Sequence, residues 1–149
     1  MCKKYKCKYC HDDYPIKINI NPLTLTNINL TPLTLINSRC LSCSSTIIGA
    51  NNIIFNKIGV YDVEGYVCVT NNATTVTNFQ IVSQVLNGSA VINPSNITYG
   101  GVKINLPSKI IFNFSIQVTV PNTSVQLSAR STSFPLTITE GKFKINKIE

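Results

Sequence analysis

Residues that carry most enzyme chemistry are scarce in this sequence. It has no tryptophan, one histidine (His11) and six acidic residues among 149. Nucleophilic and acid–base catalysis needs paired groups such as Ser/His/Asp or Cys/His, and no such set stands in a convincing context here. Asp62 and Glu64 lie two residues apart, about 6.5 Å along a strand, but outward acids at this spacing are usually solvated. We therefore expect a non-enzymatic protein with no catalytic residues.

Long apolar stretches are also missing. No segment reaches the roughly 18 consecutive apolar residues of a membrane-spanning helix. The N-terminal residues are rich in lysine and cysteine and have no apolar core of the kind found in signal peptides. The sequence therefore predicts synthesis in the cytoplasm and no membrane partner.

The composition that is present favours strands. Charged residues are only 13% of the chain and hydrophobic residues 44%, while isoleucine, valine and threonine are abundant and helix-forming stretches are rare. Turn signals recur about every 8 to 14 residues, which is typical of antiparallel sandwiches. The fold class that we predict is all-β, an antiparallel β-sandwich of the jelly-roll type with a short N-terminal zinc-knuckle segment.

The strand at 59–69 has the clearest alternation near the middle of the chain. Tyr61 shares one face with three valines, whereas Asp62, Glu64 and Tyr66 share the other. A strand with one buried face requires this period of two. A longer alternation runs from Ile110 to Val120 and predicts a second core strand that includes Phe112 and Phe114.

Two glycine dipeptides mark expected turns later in the chain. Asn87 and Gly88 form a dipeptide that is the strongest short signal for a β-hairpin, because a type I′ turn needs two positive φ angles. Glu140 and Gly141 similarly separate two short apolar stretches. We expect the chain to turn at both dipeptides.

The formal charge of +7 is concentrated toward the ends of the chain. Five lysines lie within the first 17 residues and three within the last eight, and the central body is nearly neutral. Lysines around a four-thiolate zinc site offset its net negative charge. This distribution favours compensation of a metal site, or a solvated tail, over nucleic-acid binding.

Two C-x-x-C pairs are the strongest chemical motif. Cys7 and Cys10 form one pair, and Cys40 and Cys43 form the other. Two turns that each present two thiolates complete the tetrahedral shell of a structural Zn²⁺, which is the cofactor that we predict. Disulfides and unbound thiols remain alternatives for these four cysteines.

Three further residues bear on the cysteine motif. His11 completes a C-x-x-C-H pattern, which is also the attachment pattern of c-type haem. Either His11 or Cys2 is a candidate replacement for one zinc ligand. Cys68 lies opposite the apolar face of its strand and is expected to be a small packed residue.

The order of motifs after residue 51 resembles that of a known family. A Gly-x-Tyr-x-Val-x-Gly-Tyr-Val stretch at 59–67 is followed by Leu-Asn-Gly at 86–88, Pro-Asn-Thr-Ser-Val-Gln-Leu at 121–127 and a closing Lys-Phe-Lys-Ile-Asn-Lys-Ile at 142–148. This order resembles the trimeric jelly-roll heads related to tumour necrosis factor and complement globular heads, including tip domains of bacterial and phage fibres.

The resemblance implies how the chain is organised and what it contacts. It implies a homotrimer in which Tyr61 or Tyr66, together with Phe112 or Phe114, lies close to the subunit interface. Residues 49–149 then form the jelly-roll head. Residues 1–48, with two proline-led Leu-Thr-Leu repeats that predict short edge strands, form an attachment segment.

Three functions follow as hypotheses. The first is a structural protein of a virus particle, a phage capsid decoration or fibre-tip subunit that contacts other virion or assembly proteins through residues 1–48. The second is a zinc-ribbon module that binds nucleic acid or associates with ribosomes. The third is a carbohydrate-binding β-sandwich that uses tyrosine or asparagine side chains.

Overall fold

The described part of the chain consists of strands. A computed structural model describes residues 14–36 and 46–148, and no residue in these ranges lies in a helix. Accordingly, it contains no helix that is long and apolar enough to cross a membrane. The strands are β1 Ile16–Ile20, β2 Leu23–Leu25, β3 Thr31–Pro32, β4 Leu35–Ile36, β5 Thr46–Ile48, β6 Ile53–Phe55, β7 Gly59–Asn71, β8 Thr77–Asn87, β9 Ala90–Asn93, β10 Asn96–Val102, β11 Pro107–Val118, β12 Thr123–Ser131 and β13 Leu136–Lys147.

These strands form two antiparallel sheets, which confirms the all-β prediction and is consistent with a β-sandwich. The first sheet has the order β4-β1-β13-β7-β11-β9, and β2 also pairs with β13. The second sheet has the order β10-β8-β12-β6-β5, and β3 also pairs with β12. One hydrophobic core contains inward side chains from both sheets.

The strand pairs are nested along the sequence. β1 pairs with β13, β6 with β12, β7 with β11 and β8 with β10. Strands near the start of the sequence therefore pair with strands near its end, and each later pair lies inside the previous one in the sequence. Such nesting brings residues far apart in the chain side by side, as in the pairing of Lys17 with Lys144.

The predicted alternation matches the buried positions except at Val120, which lies beyond the end of β11 and is 44% exposed. In β7 the fully buried apolar side chains are Tyr61, Val63, Val67 and Val69. In β11 they are Ile110, Phe112, Phe114, Ile116 and Val118. Hydrophobic burial of about 25 cal/mol per Å² stabilises this arrangement, because each strand places its whole apolar set on one side.

The segment predicted as an attachment base supplies strands to both sheets. Ile16, Ile18 and Ile20 are buried in the common core, and β1 pairs along its length with β13. The first Leu-Thr-Leu repeat forms β2, which pairs with β13. The second repeat lies between β3, which pairs with β12, and β4, which pairs with β1, so only its last leucine is in a strand. The attachment role of residues 1–48 stays a prediction.

The hairpin predicted at Asn87 and Gly88 is wrong. β8 lies in the second sheet, and β9, which follows this turn, pairs with β11 in the first sheet. Gly88 does have a positive φ of 88°, but Asn87 does not, so the two positive angles of a type I′ turn are not both present. The turn instead carries the chain across the core, and the Ser89 N–H donates to the Thr123 hydroxyl at 3.1 Å.

The turn predicted at Glu140 and Gly141 is also wrong. β13 continues through both residues, with a shift of register against β7 between Ile138 and Glu140. This shift is a β-bulge, which adds a residue to one strand and bends it without ending it. A Cβ on Gly141 would lie 3.0 Å from Ile20 and Val67 atoms, so the close packing of the core accounts for the glycine.

Candidate functional site

The outer face of the first sheet carries a cluster of lysines that we call the lysine face. It is built from alternate residues of four adjacent strands, whose intervening neighbours point into the core. Its members are Lys17 and Asn19 of β1, Lys142 and Lys144 of β13, Glu64 and Tyr66 of β7, and Lys109 and Ile111 of β11.

The strand register arranges seven of these eight side chains in two parallel rows, and Lys109 lies beyond the second row, opposite Cys68. The first row is Lys17, Lys144 and Glu64 on successive strands. The second row is Asn19, Lys142, Tyr66 and Ile111. Between the rows lies an open hollow of about 480 Å³, also lined by Ile18, Gly65 and Phe143.

Two of the four lysines are engaged within the face. The Lys144 Nζ lies 2.8 Å from the Glu64 Oε1, and both side chains are more than two-fifths exposed. The Lys109 Nζ lies 4.3 Å from the centre of the Tyr66 ring, which is the geometry of a cation–π contact. An exposed ion pair of this kind contributes about 0 to 1 kcal/mol. The contact with the Tyr66 ring leaves the positive charge of Lys109 uncompensated, so the face keeps a net positive charge.

The other two lysines are unpaired within the described part of the chain. Lys17 and Lys142 form no ion pair with described residues, and both side chains are exposed. Lys17 lies directly across from Lys144 in the pairing of β1 with β13. Like charges at opposite positions in a sheet repel each other. The described residues that line the hollow therefore comprise four cations and one anion, Glu64, for a formal charge of +3.

The remaining acids of the described chain lie on the same outer face. Asp62 and Glu64 alternate with the buried Tyr61 and Val63, as the sequence predicts. Glu140 lies opposite Cys68 on the neighbouring strand. No three His, Cys, Asp or Glu residues of 14–36 and 46–148 come close enough together to hold a metal ion.

Cys68 lies beside the lysine face and donates a hydrogen bond to Glu140. The Cys68 Sγ is 3.6 Å from the Glu140 Oε1. Partial burial, this hydrogen bond and the negative charge of Glu140 raise the pKa of the thiol, while Lys109 acts in the opposite direction. Because the thiolate is the reactive form, the raised pKa lowers the reactive fraction of Cys68 at a given pH.

Three of the four residues predicted near a trimer interface lie inside the core. Tyr61, Phe112 and Phe114 are at most 1% exposed. The Tyr61 hydroxyl donates to the Lys57 carbonyl at 2.8 Å, and its ring centre lies 4.5 Å from that of Phe55. Tyr66 is the member of this group that reaches the surface, where it belongs to the lysine face. The trimer itself stays a prediction.

The predicted zinc ligands are not part of this site. Cys7, Cys10, Cys40 and Cys43 lie outside the described residues, as do His11 and Cys2. The structural Zn²⁺ therefore stays a prediction.

The sequence interpretation missed the lysine face. Lys17, Lys142 and Lys144 were assigned by position to the basic ends of the chain. A usable signal was present, because Lys17 alternates with Ile16 and Ile18, and the two C-terminal lysines flank Phe143. That alternation places each lysine on the outer side of a strand, but it does not show which strands are neighbours.

Comparison with known proteins leaves the resemblance to trimeric heads as a prediction. No protein-family model matches the chain, and no curated protein is significantly similar to it. The fold class and the lysine face thus stand on the structure alone.

Proposed function

We propose that this chain is a non-enzymatic structural protein of a virus particle. In this proposal it is a jelly-roll subunit that acts as a homotrimer, either as a capsid decoration or as the tip of a phage fibre. Residues 1–48 contribute contacts to other virion or assembly proteins, and a Zn²⁺ held by Cys7, Cys10, Cys40 and Cys43 orders part of this segment.

The nested strand pairing is the observation that supports the proposal best. A jelly roll is a double-stranded ribbon wrapped into two sheets, so its first strand pairs with its last, its second with its second last, and so on. With β1, β6, β7, β8, β10, β11, β12 and β13 taken as the eight strands of such a ribbon, the pairs β1 with β13, β6 with β12, β7 with β11 and β8 with β10 follow this rule. Double-sheet jelly rolls recur in viral capsid proteins, and the support for the function is therefore an analogy of fold.

Exposed apolar side chains at one end of the sandwich give further support. Val76, Leu106 and Phe134 are each between 46% and 56% exposed. Their loops are joined by hydrogen bonds, including one from the Asn72 N–H to the Pro135 carbonyl at 3.0 Å. Apolar side chains held at a surface are typical of proteins that contact other subunits.

The oligomeric state is tested by light scattering after size exclusion. The full chain in zinc-containing buffer is expected to elute with three times the 16.4 kDa mass of one chain. A single-chain mass that persists at high protein concentration contradicts the trimer. Labelled antibody against the chain, viewed by electron microscopy on the particle that encodes it, tests its place in the virion.

The zinc part of the proposal has its own measurement. Freshly purified protein is expected to contain one zinc per chain, and Cys7→Ser or Cys43→Ser to reduce that content. Cys68→Ser is the matched control, because Cys68 lies on β7 and donates to Glu140. Zinc well below one per chain in the unchanged protein, or equal loss in all three variants, contradicts the assignment.

A further inference from the structure

We infer that the lysine face binds an acidic saccharide through the carboxylates of its sugar units. The ligand lies in the hollow between the two rows of side chains, with Lys17 and Lys142 as its cationic contacts. This inference does not depend on the proposed trimer or on a place in a virus particle.

The net positive charge of the hollow favours the binding of an anion. Lys17 and Lys144 lie opposite each other on the adjacent strands β1 and β13, and Lys142 lies two residues before Lys144 on the same side of β13. Among the residues that the structure describes, Glu64 is the one acid that lines the hollow, and it already pairs with Lys144. A carboxylate placed between Lys17 and Lys142 relieves the repulsion and gains charge-assisted hydrogen bonds.

The shape of the hollow fits a small saccharide. Its volume of about 480 Å³ lies within the range of about 300 to 1,000 Å³ that is usual for small-ligand sites. It is open along the sheet surface, so a chain of sugar units can extend beyond it at either side. Ile111, which is 72% exposed, and the Tyr66 ring supply apolar surface beside it.

The uncharged and acidic members of the face suit sugar hydroxyls. The Asn19 side-chain amide both donates and accepts, and the Tyr66 hydroxyl does the same. The Glu64 carboxylate accepts hydrogen bonds. Hydroxyl groups need partners of both kinds, whereas a bare phosphate needs donors alone, so the mixture favours a saccharide with acidic groups.

Other polyanions fit this face less well. Single-stranded nucleic acid stacks successive bases on several aromatic rings, but Tyr66 is the one aromatic side chain on the lysine face and Lys109 already contacts its ring. An acidic peptide that adds a strand needs an unpaired sheet edge. The centre of the hollow has no such edge, because β13 and β7 pair with neighbours on both sides there. β4 and β9 cover β1 and β11 only at Asn19–Ile20 and Ser115–Val118, so an acidic peptide is included in the titrations below.

The experiment is a calorimetric titration of the full chain with tetragalacturonic acid, a carboxylated oligosaccharide. The matched control ligand is the same oligosaccharide with its carboxylates methyl-esterified. Binding of the free acid is expected to be about tenfold tighter than that of the ester and to weaken between low salt and about 150 mM salt. Equal affinity for both ligands, or no binding of either, overturns the inference.

Variants locate the site. Lys17→Gln combined with Lys142→Gln is expected to lower the affinity for the free acid about tenfold, because each exposed charge pair contributes up to about 1 kcal/mol. Lys142→Arg keeps the charge and retains binding. Lys103→Gln is the matched control, since Lys103 is exposed and does not line the hollow. Unchanged affinity in the double variant overturns the assignment, provided that circular dichroism shows it folded.

Two comparisons exclude other occupants of the same face. Oligothymidylate and polyglutamate are titrated against the unchanged protein and the double variant. Tighter binding of either one, with loss in the double variant, makes the site one for nucleic acid or acidic peptide and overturns the saccharide. Light scattering of the double variant tests for a contact between copies of the chain. A change in its mass, together with no saccharide binding by the unchanged protein, would show that the lysine face is such a contact and would overturn the saccharide site.

Discussion

Gly65 and Phe143 lie directly opposite each other on β7 and β13, so close that only glycine fits. A Cβ built on Gly65 would lie 2.5 Å from the Phe143 Cβ, and it would also collide with the Lys142 carbonyl oxygen. Phe112 lies opposite Gly65 on the other side, and the Phe112 and Phe143 ring centres are 6.3 Å apart. The glycine thus lets two phenyl rings approach across the strand that separates them.

Gly65→Ala is expected to destabilise the protein by about 2 to 3 kcal/mol, because the backbone of β13 must move to admit the methyl group. Urea denaturation followed by fluorescence or circular dichroism measures this loss. Gly100→Ala is the matched control, since a Cβ there meets only the Asn78 Oδ1 at 3.5 Å. Equal stability of the two variants contradicts the close approach.

Gly88→Ala is expected to cost about 3 kcal/mol, for two separate reasons. Gly88 has a φ of 88°, which is strained for other residues, and a Cβ there would lie 2.8 Å from the Thr123 Cα. Gly101 has a φ of 73° with no atom within 4 Å of its Cβ position. Gly101→Ala therefore reports the strain alone, at about 1 kcal/mol. Similar unfolding midpoints for both variants would show that the Thr123 contact is unimportant.

Asn71→Ala is expected to cost about 2 to 4 kcal/mol of unfolding free energy. The buried side chain donates to the Thr75 and Val102 carbonyls at 2.9 and 3.0 Å and accepts from the Ala73 N–H at 2.9 Å. Loss of one side chain leaves three backbone groups without their partner. Asn72→Ala removes an exposed side chain and is expected to change stability by less than about 0.5 kcal/mol. Denaturant titrations that show the reverse order would contradict the role of Asn71.

Glu140→Gln is expected to lower the pKa of the Cys68 thiol, because it removes a negative charge and weakens the hydrogen bond that the thiol donates. Lys109→Gln is expected to raise it further, since Lys109 acts in the opposite direction. The pH dependence of iodoacetamide alkylation, followed by mass spectrometry on the peptide that contains Cys68, measures both shifts. Shifts of the same sign in the two variants would contradict the assignment.

The raised pKa of the Cys68 thiol also predicts how the stability of the fold changes with pH. The folded chain holds the Cys68 proton more tightly than the unfolded chain does. The resulting stabilisation is complete below the pKa of the unfolded thiol and is lost as the pH rises through the pKa of the folded one. Cys68→Ser is therefore expected to lose less stability than the unchanged protein between neutral and alkaline pH. An equal loss would leave this linkage without support.

Local alternation in the sequence determined which side chains face the core. Tyr61, Val63, Phe112 and Phe114 were assigned to buried faces from their spacing, and all four are buried. The outward positions of Asp62, Glu64 and Tyr66 followed from the same rule. This worked because successive side chains of a strand point to opposite sides whatever the strand's neighbours are.

Only the tertiary structure decided which strands are neighbours. Asn87 and Gly88 have the sequence of a hairpin, yet the chain crosses from one sheet to the other there. Lys17 and Lys144 are far apart in the sequence and become opposite residues through the pairing of β1 with β13. Strand pairing depends on how the whole apolar set is buried in one core, and no local pattern encodes it. The lysine face exists for that reason, since each of its four strands contributes only two of its eight side chains.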